Sequence, residues 1–178
     1  MQAKYNSTLD MLDDDGETTL SLRSQALTIA PRPESKNSEH RCSPCPKKWK
    51  WHKDNCYCFF KESNTWQGCE HFCTAENSTL LKIETQDVLE FVMPYSYSQF
   101  FYSYWTGLSR NGSGNPWLWM DGSLHSSNLF DIVVDFSSLR SWDCVTILNG
   151  RAFSKDCMEL RRCACQRMAA KVMLEWLE

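Results

Sequence analysis

The hydrophobic pattern of the chain centres on two aromatic runs. Residues 104–108 read Tyr-Trp-Thr-Gly-Leu and residues 117–122 read Trp-Leu-Trp-Met-Asp-Gly, with a stretch rich in Ser, Gly and Asn between them. Side chains alternate between the two faces of a strand, so Trp105 and Leu108 cannot share one face. The first run therefore predicts a strand buried on both faces, in which Gly107 lets another backbone approach closely.

Apolar residues recur at helical spacing on the N-terminal side of these runs. Residues 63–65 offer N-caps for a first helix, which then carries apolar side chains at positions 66, 69, 72 and 73 and ends near Asn77. Thr85 offers the N-cap of a second helix. Pro94 ends that helix early, because its ring clashes with the preceding turn and it has no N–H.

Short apolar segments with turn residues between them predict strands around this core. Residues 49–52 and 56–60 flank the polar turn 53–55 and predict a hairpin. The Asn-Gly pair at 149–150 predicts a type I′ turn between the strands 144–148 and 151–154. The pattern also predicts short strands at 80–83 and 162–166 and a long polar loop at 123–143.

Cysteine content and charge divide the chain into two parts. All ten cysteines lie between Cys42 and Cys165, which indicates disulfide bonds formed in an oxidising compartment. Residues 1–40 contain four basic and seven acidic residues and no cysteine, so they predict a disordered acidic tail. Basic and acidic residues are nearly balanced in the cysteine-containing part, which excludes a large basic surface for nucleic acid.

Signals for export are missing from the sequence. The first residues lack the apolar segment of a secretory signal, and the chain has no run of about 18 apolar residues that could span a membrane. The sequence therefore predicts a chain that stays in the cytosol, where thiols are reduced and no N-glycan is added. Because losing one native disulfide costs a small secreted domain about 2–5 kcal/mol, we expect the reduced domain to be largely unfolded.

The order of the motifs resembles that of a known family. The natural-killer-receptor-like branch of the C-type lectin superfamily has a similar series, which runs here through Trp66, Cys73, Leu-Leu-Lys-Ile at 80–83, the two aromatic runs, Cys144, Cys157 and Cys165. This resemblance implies an α+β C-type lectin-like domain with two helices, two small antiparallel sheets and a long loop, held together by disulfides. It covers residues 1–40 and 41–167 without a membrane span between them, which implies a shortened receptor product.

The resemblance also implies four parts of the chain: a cytoplasmic-tail-like segment at 1–40, a residual neck at 41–48, the lectin-like domain at 45–167 and a C-terminal tail at 168–178, where we expect a short helix. Residues 13–20 resemble an acidic signalling motif of such receptor tails, but Glu17 occupies the position of its tyrosine. A carboxylate is not phosphorylated, so we expect this stretch to be a solvated linker.

The resemblance implies three disulfides, which are Cys45–Cys56, Cys73–Cys165 and Cys144–Cys157. Geometry adds a fourth, provided that Cys73 meets Cys165. Cys69 lies one helical turn before Cys73, and so on the same face of the first helix. Cys163 lies two residues before Cys165, and so on the same face of the last strand. We therefore expect a Cys69–Cys163 bond as well.

Cys42 and Cys58 remain outside these pairs. Family precedent puts a neck cysteine such as Cys42 in a covalent homodimer, which we expect here because Pro44 bends the neck away from the sheet. In a hairpin that pairs Cys45 with Cys56, however, Cys42 and Cys58 fall nearly opposite each other, so an internal bridge stays open as an alternative. Zinc is a further alternative, because the same four cysteines form two close pairs.

Calcium-dependent sugar binding requires several carboxylate and amide oxygens around one ion. Sugar-binding members of the superfamily have Glu-Pro-Asn or Gln-Pro-Asp in the long loop, whereas residues 123–143 contain no proline. Arg-Ala-Phe-Ser at 151–154 stands where those members have Trp-Asn-Asp. The loop carboxylates Asp131, Asp135 and Asp143 lack the motif, so we expect no calcium and no other cofactor.

The four histidines are scattered along the chain and form no motif of base and nucleophile; they are His40, His52, His71 and His125. The sequence therefore predicts a binding domain rather than an enzyme, with His71 at the surface of the first helix. The resemblance implies an immune receptor domain, extracellular at the plasma membrane, that recognises a protein or other macromolecular ligand without calcium. A calcium-dependent carbohydrate-binding lectin and a non-functional or cytosolic splice product are the alternatives.

The ligand is expected to bind the long loop and the turn beside it. Apolar and arginine side chains on such a loop have the composition of interface hot spots, and the candidates are Leu129, Phe130, Leu139, Arg140 and Trp142. Asn77 and Asn111 begin N-glycosylation sequons at predicted turns. A third sequon, at Asn6, lies in the acidic tail.

Overall fold

The computed structural model describes residues 43–135 and 140–171. The acidic tail expected at 1–40, Cys42 and Leu139 therefore lie outside the described residues.

Both predicted helices are present, and each begins directly after a threonine that caps it, Thr65 within the expected 63–65 stretch and Thr85 as expected. Helix α1 spans Trp66–Ala75, and Thr65 Oγ1 accepts a hydrogen bond from Gly68 N at 3.1 Å. Helix α2 spans Gln86–Val92, and Thr85 Oγ1 accepts from Val88 N at 3.2 Å. A 3₁₀ turn at Pro94–Ser96 follows α2. Within the described ranges, neither helix is long and apolar enough to cross a membrane.

In the described residues, nine strands accompany these helices. In chain order they are β1 Lys50–His52, β2 Asn55–Asn64, β3 Thr79–Leu80, β4 Tyr104–Arg110, β5 Leu118–Trp119, β6 Ile132–Val133, β7 Asp143–Leu148, β8 Arg151–Asp156 and β9 Arg161–Met168.

The strands belong to one mixed sheet in the order β1-β2-β9-β4-β7-β8-β6, with β3 on β9 and β5 on β4. We expected two small antiparallel sheets, but a parallel pairing of β4 with β9 joins them. Trp105 lies at this junction, opposite Cys163, and is fully buried. Its Nε1 donates to Asn64 O at 2.9 Å, so the large indole secures the junction from within.

Strand β4 is buried on both faces, as predicted. Every residue from Tyr104 to Leu108 is buried. Gly107 N donates to Leu81 O at 2.8 Å, and a Cβ at position 107 would lie 3.5 Å from Leu80 O and 3.2 Å from Met120 Cγ. The glycine therefore permits the close backbone contact expected from its place in the motif.

The two predicted hairpins also form. The β7–β8 turn has φ values of 50° at Asn149 and 73° at Gly150, the left-handed pair that a type I′ turn requires. In the β1–β2 hairpin, Cys56 pairs with Trp51 rather than lying opposite Cys45 in the ladder. Cys45 therefore reaches Cys56 from the segment before β1.

Four disulfides join described residues, and they are the four pairs expected from the sequence: Cys45–Cys56, Cys69–Cys163, Cys73–Cys165 and Cys144–Cys157, with Cα atoms 5.1–5.6 Å apart. Two of them join α1 to β9 across sequence separations of 94 and 92 residues. Bonds that close such long loops each stabilise by about 2–4 kcal/mol. The Cys45–Cys56 bond takes two of the four thiolates that a zinc site needs, which contradicts the zinc alternative.

The C-terminal boundary differs from the expected start of a helical tail at residue 168. Strand β9 continues to Met168. Ala169 N then donates to Asp54 O and Ala170 N donates to Pro44 O, both at 2.8 Å. These hydrogen bonds attach the segment after β9 to the domain, and residues 172–178 lie outside the described residues.

Candidate ligand-binding surface

A buried carboxylate organises the end of the long loop. Asp143, the first residue of β7, is almost fully buried. Arg110 Nε lies 3.1 Å from its Oδ2, and Arg140 Nε lies 2.7 Å from its Oδ1. The two guanidinium groups balance the buried negative charge and hold the loop against the end of β4.

Trp142 is next to this ion cluster and is 46% exposed. Its ring meets that of Trp66 edge to face, with the centroids 5.7 Å apart. Trp66 is buried, and its Nε1 donates to Thr106 O at 2.8 Å. The exposed indole therefore rests on a second indole that is itself fixed in the core.

Two depressions are each lined by Ser141 and Trp142, and together we name them the Trp142 surface. The first has a volume of about 610 Å³ and is also lined by Ser109, Arg110, Asn111, Asn115, Pro116 and Leu118. The second has a volume of about 450 Å³ and is also lined by Trp66, Gln67, Arg140, Asp156, Cys157 and Met158. An aromatic anchor with polar and apolar neighbours on a rigid base is typical of a protein-binding surface.

The structure places two of the predicted contact residues in a different environment from the one we expected. Leu129 and Phe130 are partly buried and pack against the hydrophobic core. His125 strengthens this packing, because its ring lies 4.4 Å from that of Phe130 and its Nε2 lies 3.0 Å from Phe130 O. These apolar side chains anchor the loop rather than facing solvent.

The other three predicted contact residues have separate outcomes. The Arg140 side chain is only 17% exposed and is held by Asp143, so it positions the loop more than it offers a free contact. Trp142 is exposed, as the prediction requires. Leu139 lies outside the described residues.

The sequence analysis missed two apolar side chains of the Trp142 surface, Leu118 and Met158. Alternation along β5 buries Trp119 and turns Leu118 outward, and this pattern could have identified Leu118. Met158 is 74% exposed in the turn after Cys157. Its exposure could have been predicted, because tight turns favour small and polar residues and lie at the surface.

Two carboxylates at the ends of the long loop, those of Asp121 and Asp143, are occupied by basic or hydroxyl partners. Both oxygens of Asp143 are taken by arginines, as described above. Asp121 accepts from Lys82 Nζ at 2.5 Å and from Ser123, and these hydrogen bonds hold the pKa of Asp121 well below its usual value. In the ranges 43–135 and 140–171, no group of three or more His, Cys, Asp or Glu side chains is arranged to hold a metal ion.

Among the histidines in the described ranges, His52 joins two elements of the fold and His71 is exposed. His52 Nε2 lies 2.6 Å from Asp87 Oδ2, and its ring stacks on Phe91 at 4.3 Å. Hydrogen bonds from Lys53 and His52 lower the pKa of Asp87. These contacts join β1 to α2. His71 is exposed on α1, as expected.

Cys58 is the one cysteine of the described residues that forms no disulfide. It lies on β2 opposite Cys165 of β9, and it is buried. Burial raises the pKa of its thiol, so the reactive thiolate is disfavoured.

Both predicted glycosylation sites in the domain are exposed. Asn77 lies in the turn after α1 with a φ of 52°, and Asn111 follows β4. Asn111 also lines the first depression of the Trp142 surface, where Asn115 Nδ2 donates to its carbonyl oxygen. A glycan at Asn111 would therefore lie at the edge of that surface.

Comparison with known proteins identifies the family. The model of the family described as "Lectin C-type domain" matches residues 62–167. Bovine C-type lectin domain family 1 member A is 46% identical over 269 aligned positions, which include 99% of this chain and 97% of that protein. The human protein of that name is 39% identical, with coverage of 99% and 96%. The mouse protein of that name is 59% identical over 85% of this chain and 56% of its own length.

The bovine alignment is longer than the chain itself. Its 269 positions exceed the 178 residues of the chain by 91, so at least 91 positions of the alignment have no counterpart here. Because nearly all of both proteins is aligned, the missing positions lie within the aligned region.

A solved structure has a similar fold. The mouse scavenger receptor C-type lectin carbohydrate-recognition domain superposes with a TM-score of 0.60 at 24% identity, covering 72% of this chain and 99% of that one. This likeness supports the fold alone. The family match over residues 62–167 and the three relatives show that the chain belongs to the C-type lectin domain family, whose members are lectin-like receptor domains rather than enzymes.

Proposed function

We propose that this domain recognises a protein or other macromolecular ligand without calcium and that the ligand binds the Trp142 surface. The observation that carries the proposal is the occupation of both Asp143 oxygens by Arg110 and Arg140. Calcium requires several free oxygen ligands around one ion, and two guanidinium groups beside Asp143 oppose a divalent cation. Because Trp142 lies between Arg140 and Asp143 in the sequence, the ion pair between these two residues also restrains the backbone that carries the exposed indole.

The shape of the Trp142 surface supports a macromolecular ligand. Its two depressions meet at an exposed indole, so a ligand that fills both must extend across Trp142. Tryptophan is among the residues most enriched in interface hot spots. Met158 and Leu118 add apolar area on either side of the indole.

A binding assay with a matched control tests this proposal. Multimers of the full chain, refolded with its disulfides, are used to stain a panel of cells in calcium and in EDTA. We expect staining that EDTA leaves unchanged and that Trp142→Ala lowers by at least about tenfold, the loss of a hot-spot contact. Met168→Ala is the control, since Met168 is equally apolar and 76% exposed but lies outside this surface.

Two results would contradict the proposal. Staining that requires calcium and is removed by EDTA would favour the carbohydrate-binding alternative. Staining that is equal for wild type and Trp142→Ala would place the ligand elsewhere on the domain.

The missing export signals led us to expect a cytosolic chain without glycans; in place of that expectation, we propose that the functional domain lies on the extracellular side, where its four disulfides can form. Asn77 and Asn111 would then carry glycans. Treating the expressed chain with an N-glycosidase tests this, and a mobility shift that is lost in the Asn77→Gln, Asn111→Gln double variant is expected. An unshifted chain with reduced thiols would instead support the cytosolic splice product.

Covalent dimerisation through Cys42 is the third part of the proposal. The burial of Cys58 between β1 and β9 supports Cys42 as the cysteine available to a second chain. A reducible dimer is expected on non-reducing gels for wild type and Cys58→Ser, and a monomer for Cys42→Ser. A wild-type monomer would refute the dimer.

A further inference from the structure

The segment between the 3₁₀ turn and β4 exposes four aromatic side chains, which are Tyr97, Phe100, Phe101 and Tyr102. Phe100 is 77% exposed and Phe101 is 73% exposed. The rings of Phe100 and Tyr102 lie 6.0 Å apart. Exposed rings so close together form an apolar patch, and such patches mark interaction sites on soluble domains.

Ser98 and Asn149 fix the backbone that presents these rings. Ser98 N donates to Asn149 Oδ1 at 2.8 Å, and Ser98 Oγ accepts from Tyr102 N at 3.1 Å. Phe101 has a φ of +59°, a left-handed conformation that is unusual for a bulky residue. The chain therefore holds an exposed phenylalanine in an unfavourable conformation, a feature that is frequent at binding sites.

Two cations lie beside the rings. Arg162 of β9 stacks on Tyr102, with its Cζ 3.7 Å from the ring centroid. Arg162 and Lys61 line a depression of about 550 Å³ together with Tyr97, Ser98, Gln99, Phe100 and Tyr102. Neither cation is paired with a carboxylate of the described residues, whereas the neighbouring Arg161 is paired with Glu159.

We propose that these residues form a second binding surface, the aromatic–cationic surface, which binds an acidic segment of a partner protein. It consists of Lys61, Tyr97, Phe100, Phe101, Tyr102 and Arg162. Tyr102 covers one face of the Arg162 guanidinium, so the N–H groups at its edge are directed to donate to a carboxylate. Phe100 and Phe101 would contact an apolar side chain next to the acidic residues of the partner.

Other occupants fit this surface less well. A second copy of the chain, placed across a twofold axis, would bring identical cations together. A sulfated polysaccharide would neutralise Arg162 and Lys61 but would leave the exposed rings of Phe100 and Phe101 without an apolar partner. An acidic protein segment with an apolar residue matches both parts of the surface.

The probe for this proposal is a library of short random peptides displayed on phage and selected on the refolded full chain. The enriched peptides are expected to combine Asp or Glu with a neighbouring aromatic or aliphatic residue. Arg162→Gln and Phe100→Ala should each raise the Kd of these peptides by about tenfold. Met158→Ala serves as the control, because Met158 is as exposed as Phe101 but belongs to the Trp142 surface. Its Kd should remain unchanged.

Folding and alternative ligands are controlled separately. Phe100 is exposed, so Phe100→Ala should leave the thermal midpoint nearly unchanged. Failure to enrich acidic peptides would overturn the proposal, as would peptides that bind Arg162→Gln and Phe100→Ala as tightly as wild type. A heparin oligosaccharide is tested in parallel. Binding of heparin that depends on Arg162, without any acidic peptide being enriched, would identify a polysaccharide site and also overturn the proposal.

Discussion

Strand β4 leads at its two ends into regions that are held by different interactions. At its C-terminal end, Arg110 contacts the buried Asp143, and the Cys144–Cys157 bond ties β7 to the turn beyond β8. At its N-terminal end, the exposed rings precede Tyr104, and their backbone is held because Ser98 N donates to Asn149 Oδ1 and Ser98 Oγ accepts from Tyr102 N. The first region has an ion cluster and a disulfide beneath its exposed residue, and the second has neither.

This difference separates stability from binding. At the Trp142 surface, the groups that position Trp142 also stabilise the fold, so most changes there should affect both properties. At the aromatic–cationic surface, the rings project from a segment that contributes little to the core, so changes should alter binding without unfolding the domain. The predictions below test this separation, beginning with the largest effect.

Asp143→Ala should lower the free energy of unfolding by about 3–5 kcal/mol, because it leaves Arg110 and Arg140 poorly exposed and without their shared partner. Denaturant titration at neutral pH measures this loss. Asp131→Ala, at an exposed carboxylate of the same loop, is the control and should change stability by less than about 0.5 kcal/mol. Similar small losses in both variants would show that the ion cluster does not stabilise this end.

Replacing Cys144 and Cys157 together by serine should lower stability by about 2–4 kcal/mol, since the unfolded chain gains freedom. Ser98→Ala at the other end removes the hydrogen bond to Tyr102 N and should cost only about 0.5–1.5 kcal/mol. Comparison of their denaturation midpoints tests the difference between the two ends directly. An equal loss in both variants would refute it.

Features fixed by local chemistry could be predicted from the sequence. Thr65 and Thr85 cap their helices because each side-chain oxygen accepts a hydrogen bond from a backbone N–H of the first turn. Such a cap involves only residues close in sequence. The Asn149-Gly150 turn and the burial of β4 on both faces also depend on short patterns. The disulfide between Cys69 and Cys163 followed from helix and strand periodicity once Cys73 was paired with Cys165.

Features that depend on distant partners could not be predicted in this way. The parallel pairing of β4 with β9 joins segments more than fifty residues apart, and no periodicity within either strand specifies it. Leu129 and Phe130 are isolated apolar residues in a polar loop, where the same composition fits a buried anchor or an exposed contact. Phe100 and Phe101 stand next to each other, and the left-handed backbone that exposes both follows from tertiary contacts.

Phe101→Gly should raise the free energy of unfolding by about 0.5–1 kcal/mol, because glycine adopts a φ of +59° without the steric penalty that phenylalanine pays. The same change should weaken binding of the selected acidic peptides. Phe100→Gly is the matched control, since Phe100 does not have a positive φ and should lose a little stability. A loss of stability in Phe101→Gly would show that the ring supports the fold.

Protonation of His125 should change the stability of the domain with pH, by less than the substitutions above. Burial lowers the pKa of His125, while the hydrogen bond to Phe130 and the charge of Asp131 partly oppose this shift. The folded state therefore keeps His125 neutral when the unfolded state, with its ordinary pKa of 6.5, becomes protonated. The contribution of neutral His125 to the free energy of unfolding is therefore fully present above pH 6.5 and decreases as the pH falls below that value. Because the side chain is only partly buried, solvent screening limits the effect.

Thermal midpoints measured between about pH 8 and pH 5 test this expectation. His125→Gln should show a smaller decrease at acidic pH than wild type. A wild-type profile in His125→Gln would mean that other groups control the acid response.

Recognition without calcium is the central claim, and the thermal midpoint in calcium tests it most directly. Extracellular calcium modules bind the ion with a Kd of about 0.1–1 mM. Saturating such a site at about 10 mM calcium would stabilise the domain by about 1–3 kcal/mol and raise its midpoint by roughly 5 °C or more. With both Asp143 oxygens held by arginines, we predict that the midpoints in calcium and in EDTA agree within about 1 °C. A saturable rise of roughly 5 °C in calcium would contradict the account.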